Sequence, residues 1–441
     1  MKIIIISHER SLNKAEGLLH HYKDDDVSLI VDGIYPESYE ARPYLKHAKK
    51  SYVCKGFRPI DIIRNVPKCD KIWCVSENLL PIQSQLESYY GIDNLTPFAA
   101  EVLSNKQTFD DFCRIIGLGH MVPRSLTPTF HSKLDNFGNS ELFTKSDIGT
   151  GSNVFFPGSD QNAPNIEYRR WKNKHHFLQH LKDKGIHNEF FDINKRGIHL
   201  PRFNHLPCRI MVQQYHWSEG PSLIPIGFVH RGKVNVLCYL KTTKVKYGDV
   251  LDPNLNPAEQ HSNSKMSDIA KDLAVWSVDE NDIDEQYQVQ MQHFLQTVVD
   301  NLKIKDLVFA GPDFHISDDK LIAIDFNPRP GQFMNILDHM NGHTIISNLI
   351  EGVPVKIKKK LLWGCAMLKP GKIADITNLD TVSPYFNVQN TKIKVGDVIP
   401  EFQNLQNKKF NVNLDIVGGN EQELFNNYKD VNQLLQNCIT Y

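Results

Sequence analysis

The sequence predicts a mixed α/β protein, and three observations carry that class. Short apolar runs alternate with polar or helical stretches over the first hundred residues. Runs in antiparallel rhythm, joined by short turns, occupy the middle of the chain. A strongly periodic helix pattern then precedes two strands that end in charged residues. The length of 441 residues fits two or three domains at about 150 residues each.

The first element is "KIIIIS", followed by "VSLIVDG" and "KIWCVS". Each is a buried strand followed by polar or turn residues, the pattern of a parallel sheet with crossover helices. Residues 1–100 are therefore expected to form a Rossmann-like domain. "SHERSLNKAEG" stands after the first strand, where a dinucleotide site needs its glycine fingerprint, so no NAD site is expected.

A second unit opens at "LSNKQTFDDFCRIIGLG". Ser104 and Gln107 have capping-box spacing. Phe109, Phe112, Cys113 and Ile116 follow the i, i+3, i+4, i+7 pattern of a helix that stops at Gly117. "ELFTKSDIGTGSNVFF" predicts strand, glycine-rich turn, strand. "CRIMVQQYHW" and "SLIPIGFVHRGKVNVLCYL" predict antiparallel strands. Residues 241–282 are polar and weakly patterned, which predicts a long loop or insertion. Met291, Phe294, Val298 and Leu302 mark one face of a helix, and "DLVFAGPDFHI" and "KLIAIDFNPR" then form a strand pair. From about Gly352 the chain reads as short strands with turns, closed by a helix near "NEQELFNNYKDVNQLL".

Composition excludes several function classes. Apolar residues make up 41% and charged residues 23%, with 50 basic against 51 acidic side chains and a net charge of -1. That balance argues against nucleic-acid binding through backbone charge. The apolar run at the N-terminus is short and no window reaches ~18 apolar residues, so a first strand is expected there and neither a signal peptide nor a membrane span is expected. The eight cysteines form no C-x-x-C pair, so buried free thiols and a cytoplasmic location are expected.

The chemistry concentrates in "GPDFHISDDKLIAIDFNPRPG". With a three-residue loop at 318–320, Asp313 falls opposite Asp325, and Asn327 joins them on the same face. Two carboxylates so placed repel each other unless a cation lies between them, and carboxylate and amide oxygens are hard ligands suited to Mg²⁺. A register shifted by one residue would instead put the acids on opposite faces. Arg329, between two prolines, is set to project beyond the strand as a fork for phosphate or carboxylate. Lys145 precedes Gly149, Thr150, Gly151 and Ser152, whose backbone is free to approach an anion closely, although the same residues suit a plain hairpin turn. Lys106 opens the capped helix, as a solvated lysine or an anion ligand. His339 and His343, like His176 and His180, are four apart but lack the glutamate of H-E-x-x-H, so solvated or packing roles are expected.

In this order the motifs resemble the ATP-grasp superfamily of ATP-dependent carboxylate ligases over roughly residues 70–335. The most specific piece is the acid at 313, the acid twelve residues on at 325, and N-P-R after it. The resemblance implies an ATP-grasp fold at 101–351, between a Rossmann-like pre-ATP-grasp domain at 1–100 and a small C-terminal α+β domain at 352–441. It implies ATP as substrate, contacted by Lys106, Lys145, the Gly149–Ser152 loop and a hinge at Gln213, Gln214 and Tyr215. Mg²⁺ (or Mn²⁺) would be held by Asp313, Asp325 and Asn327, with Arg329 as the catalytic residue. Many members carry Glu where this chain has Asp. "CAMLKPGKIADI" and "KVGDVIPEFQNLQNKKFNVNLDIVGGNEQEL" resemble the terminal domain of the amino-acid ligase branch, which joins a carboxylate to an amine through an acyl phosphate. Small-molecule carboxylate and amine substrates and a possible homodimer follow as expectations. The alternatives are another acceptor, a thiol or hydroxyl, or a non-catalytic nucleotide-binding protein.

Overall fold

The structure is a computed structural model of the chain. It describes residues 1–32, 43–54, 57–126, 142–146, 156–158, 210–214, 216, 218–246, 255–259, 270–353, 355–366, 368–369, 371–385, 393–399 and 413–441. The opening isoleucines form strand β1 (Lys2–His8), with Ile3 to Ile6 fully buried. Helix α1 (Glu16–His21) leads to β2 (Asp26–Asp32), then β3 (Lys50–Val53), α2 (Pro59–Asn65) and β4 (Lys71–Cys74). The strands are parallel in the order β3-β2-β1-β4. β1 and β2 are buried on both faces, which is why they read as continuous apolar runs without alternation. The chain fills one side of β1 and then returns to place β4 on the other. That reversal opens a crevice at the carboxyl ends of β1 and β4, where open α/β sheets bind ligands.

Helix α3 (Leu80–Tyr90) follows β4 and ends at Gly91, and α4 (Pro97–Ser104) passes directly into α5 (Lys106–Ile115). The cap of α5 is Asn105, whose side chain accepts from Thr108 N at 2.9 Å, and not Ser104, which closes α4. The apolar face is as the periodicity predicts, with Phe109, Phe112 and Cys113 buried. A small antiparallel sheet, β5-β8-β6-β7, is built from β5 (Ser125–Leu126), β6 (Leu142–Ser146), β7 (Phe156–Gly158) and β8 (Ile210–Gln214).

The central antiparallel sheet uses β9 (Ser222–His230), β10 (Lys233–Lys246), β11 (Ala270–Val278), β12 (Asp306–Ala310), β13 (Asp313–Ser317) and β14 (Lys320–Asp325). Among the described residues its order is β14-β13-β9-β10-β11, continued by a strand at Lys360–Cys365 and one at Asn413–Gly418, and β12 also pairs with β9. β15 (Lys360–Cys365) and β19 (Asn413–Gly418) bring the C-terminal part of the chain onto this sheet. Two short ladders complete that part: β16 (Gly371–Lys372) with β18 (Val398–Ile399), and β17 (Asp375–Ile376) with β20 (Ile439–Thr440). The expected loop at 241–282 is corrected here, because its two ends are the paired strands β10 and β11. "LAVWSV" in β11 is buried on both faces, so neither alternation nor a helical period marks it.

Helix α6 (Glu285–Leu302) buries its predicted stripe, Met291, Phe294, Val298 and Leu302, against the sheet. Helices α7 (Gln332–Met340) and α8 (Ile345–Glu351) follow β14, and α9 (Glu421–Cys438) packs on β15 and β19. The six cysteines whose side chains are described are free and buried, and burial pushes the Cys69 and Cys238 thiols up to about 12. Among the described residues no helix is long and apolar enough to cross a membrane.

Phe294 ties this core to the charged end of β14. Its ring meets Phe314 of β13 edge-on at 5.4 Å and lies 6.2 Å from Phe109 of α5, which in turn contacts Phe326 at 5.4 Å. Phe294→Ala is expected to cost about 3–5 kcal/mol of stability, measured by urea denaturation. Mobility should rise first around Asp313 and Phe326, read by amide hydrogen exchange.

Candidate functional site

Hairpin β13–β14 supplies the acidic pair. Its loop is two residues, Asp318 and Asp319, both at positive φ, and not the three residues 318–320 expected from sequence. With that loop, Ser317 pairs with Lys320 and Phe314 with Ala323, a register that by itself would not oppose the two aspartates. An irregularity between Asp313 and Phe314 adds one residue on β14 and restores the pairing Asp313↔Asp325. A bulge at a strand end re-aims a side chain in this way.

Beyond Asp325 the backbone is pinned back to β12, as Ala310 N donates to Asn327 O at 3.0 Å. Gly311 makes room for that turn. Its φ is +138°, and a Cβ there would lie 3.3 Å from Asn327 N and 3.6 Å from its side-chain nitrogen. Arg329 Nη2 donates to Asn327 Oδ1 at 3.0 Å, and Arg329 Nε is bonded to Glu77 Oε2. Lys106, at the first turn of α5, donates to Asp325 Oδ1 at 2.6 Å. The last pair is partly exposed, 21% for the lysine and 37% for the aspartate. A pair so open to water is worth at most about 1 kcal/mol, so Lys106 can exchange Asp325 for another anion at little cost.

Two charged residues of the site come from the parallel sheet and carried no sequence signal. Glu77 follows β4 and Lys14 follows β1, so both stand at the crevice between those strands. Burial by itself raises the Glu77 carboxyl, but the combined pull of Arg329, Lys14 and Lys106 holds it below its ordinary value. Lys14 is pushed down to about 8 by burial first and by the Arg329 charge second, against the pull of Glu77. Spacing along one strand could not find them; their position at the carboxyl ends of adjacent strands that flank the chain reversal is the signal that could have.

The remaining expected site residues are distributed as follows. Gln213 lies in β8, an inner strand of the small sheet, paired with Ser125 and Phe143. Its side chain is buried and donates to Asp110 Oδ2 of α5 at 2.9 Å. Gln214 N donates to Arg124 O at 2.7 Å. Lys145 sits in β6 opposite Met211. Tyr215 and Gly149, Thr150, Gly151 and Ser152 lie outside the described residues, as do His176 and His180. The donor set Asp313, Asp325 and Asn327 is all hard oxygen, with two carboxylates opposed, and fits Mg²⁺ in ligand type and number.

No protein-family model matches the chain, and no curated protein matches it in sequence. Solved structures do match in fold. An L-amino acid ligase from Bacillus licheniformis superposes with a TM-score of 0.63 at 13% identity, covering 100% of this chain and 99% of that one. An N5-carboxyaminoimidazole ribonucleotide synthetase from Thermotoga maritima gives 0.55 at 12% identity, with 100% and 99% covered. A biotin carboxylase from Campylobacter jejuni gives 0.54 at 12% identity, with 99% and 91% covered. The chain has the ATP-grasp fold.

Charge placement at the crevice predicts two substitutions of opposite sign. Glu77→Gln leaves the Arg329 guanidinium buried without its carboxylate and should cost about 3–5 kcal/mol in denaturant unfolding at pH 7. Lys14→Met should instead stabilise. The folded lysine titrates near 8 and the unfolded one near 10.5, so its charge opposes folding below 8, and that penalty fades as pH rises from 8 to 10.5. The gain at pH 7, roughly 1–3 kcal/mol after allowance for partial exposure, should be absent at pH 11 in paired thermal melts.

Proposed function

We propose that this protein is an ATP-dependent, ADP-forming ligase that activates a small-molecule carboxylate as an acyl phosphate and joins it to an amine, an amino acid or peptide. The observation that carries this reading is the convergence of two opposed carboxylates, an amide, a lysine and a clamped arginine at the end of one hairpin. Scattered surface charge would not need a bulge to oppose two acids. The fold supports the reading as well, since the chain is similar end to end to an L-amino acid ligase.

In this reading residues 1–100 present the crevice, 101–351 carry the nucleotide and metal groups, and 352–441 close the far side. Asp313, Asp325 and Asn327 would hold Mg²⁺, which when bound would offset the negative charge of the phosphates. Lys106 leaves Asp325 for a phosphate oxygen, and Lys145 and Gly149 to Ser152 supply further donors over the phosphates. Adenine lies against backbone groups of Gln213, Gln214 and Tyr215. Arg329 steadies the phosphoryl group as the substrate carboxylate oxygen attacks the γ-phosphorus and ADP departs. The amine then attacks the acyl carbon, loses a proton and expels phosphate. The site needs no nucleophilic side chain, because alignment and charge placement lower the barrier.

The direct test is turnover of ATP and Mg²⁺ with pooled amino acids, resolving ADP and phosphate from AMP and pyrophosphate. Pool-dependent ADP and phosphate are expected, and splitting the pool names the substrates. AMP and pyrophosphate would overturn the acyl-phosphate route; turnover dependent on a thiol or hydroxyl acceptor would move the proposal to that acceptor class. Asp325→Asn and Arg329→Ala should each lower kcat by about 10²-fold or more. Unchanged kcat in both folded variants would remove these residues from the mechanism.

A further inference from the structure

A second group of chemistry-bearing side chains lies beside the hairpin site but outside it. Glu16 at the start of α1, His339 in the last turn of α7 and His343 just beyond that helix bring their ligand atoms within 4.8 Å of one another. Glu16 Oε1 is 3.5 Å from His339 Nδ1 and 4.0 Å from His343 Nε2. Tetrahedral bonds of ~2.0–2.1 Å place ligand atoms roughly 3.4 Å apart. The first separation already meets that spacing, and the second needs only a small side-chain adjustment.

We infer that Glu16, His339 and His343 form a binding site for a divalent transition-metal ion of the zinc class, separate from the hard-oxygen site on the hairpin. The orientation of His343 is the strongest support. Its Nδ1 lies 3.3 Å from Asp338 Oδ2, and Asp338 is fully buried, with its other oxygen accepting from Ile346 N at 2.9 Å. Nδ1–H thus donates to a fixed carboxylate, and Nε2 is presented to Glu16. This is the carboxylate–histidine arrangement that sets tautomer and ring angle for a metal ligand. His343 also has φ of +58°, uncommon for a residue with a side chain, and its amide is held by Asp338 O at 2.8 Å. The His20 ring stacks on it at 4.2 Å and covers one face.

Glu16 reaches this group because Gly17 lets α1 approach α7 and α8 closely. A Cβ at position 17 would stand 2.2 Å from Ile346 Cδ1 and 2.9 Å from Asp338 Oδ2. Two imidazoles and one carboxylate suit zinc, cobalt or nickel and do not suit magnesium. Three protein ligands leave a tetrahedral ion one open position. His339 is 66% exposed, which gives an entry path, and Glu16 and His339 both border a cavity of about 800 Å³ that an exchangeable fourth ligand can occupy. The bound ion would clasp α1, two residues past Lys14, to the helix that follows Arg329. The histidines are four apart, as the sequence shows, but the third ligand comes from the other end of the chain. His339 is exposed and His343 packs against His20, as expected from sequence, and a bound ion adds a ligand role to both.

The test is Co²⁺ titration of the full, tag-free chain, followed by visible absorption. One Co²⁺ per chain is expected, with the intense band of a tetrahedral site, displaced by Zn²⁺ and not by Mg²⁺. His339→Ala, whose side chain is exposed and should leave folding intact, should weaken binding at least ~100-fold. Glu16→Gln and His343→Ala should do the same, and Asp338→Asn should weaken it about 10–100-fold. Asp325→Asn should leave the band unchanged, which separates this site from the hairpin. No tetrahedral band, or a band indifferent to His339→Ala and Glu16→Gln, would overturn the site and leave three side chains joined only by ion pairing.

Discussion

The buried pair of Arg329 and Glu77 is the contact on which the rest of the candidate site depends. Arg329 leaves the central sheet just after β14, and Glu77 leaves the parallel sheet just after β4, so one ion pair fixes two separately built layers. Removing both charges from water is costly, and their attraction offsets it only with good geometry and further hydrogen bonds. Those bonds are present: Arg329 also reaches Asn327, and the Glu77 carboxyl feels Lys14 and Lys106. A well-packed apolar pair could hold the layers together with less desolvation. What it could not do is aim a guanidinium at the end of the hairpin.

Around that anchor the charges form an alternating path. Asp325 is neutralised by Lys106, Arg329 by Glu77, and Lys14 stands against both members of the buried pair. Each charge therefore has a neighbour of opposite sign along this path. The outer pair, Lys106 with Asp325, is partly open to water and exchanges easily, whereas the inner pair is not. That gradient, from rigid inside to exchangeable outside, is what a site needs if it binds a highly charged substrate and then releases it.

The hairpin illustrates how sequence reading can reach a correct placement through a wrong detail. Opposition of Asp313 and Asp325 is expected from a three-residue loop; the chain uses a two-residue loop and a bulge. Period and spacing constrain the total residue count between the two acids, not how that count is divided between turn and strand. The same limit explains the missed strands at 241–246 and 270–278. A strand buried on both faces has no alternation to detect, so "LAVWSV" looks like featureless apolar chain until its neighbours are known.

Local pattern was enough, by itself, for the α/β class, the parallel first sheet, helix α5 with its apolar face, helix α6, and the grouping of Asp313, Asp325, Asn327 and Arg329. Each of these leaves a pattern among residues near in sequence, where periodicity and turn chemistry can be read directly. The partners from the first sheet were decided only by tertiary structure. Glu77, Lys14 and Glu16 meet Arg329, His339 and His343 because β4 returns beside β1 and Gly17 lets α1 press against α7 and α8. Nothing within a few residues of Glu77 or Glu16 encodes a charge some hundreds of residues away. Packing of one layer against another brings them together, and the physical reason is that burial acts on surfaces, not on sequence spacing.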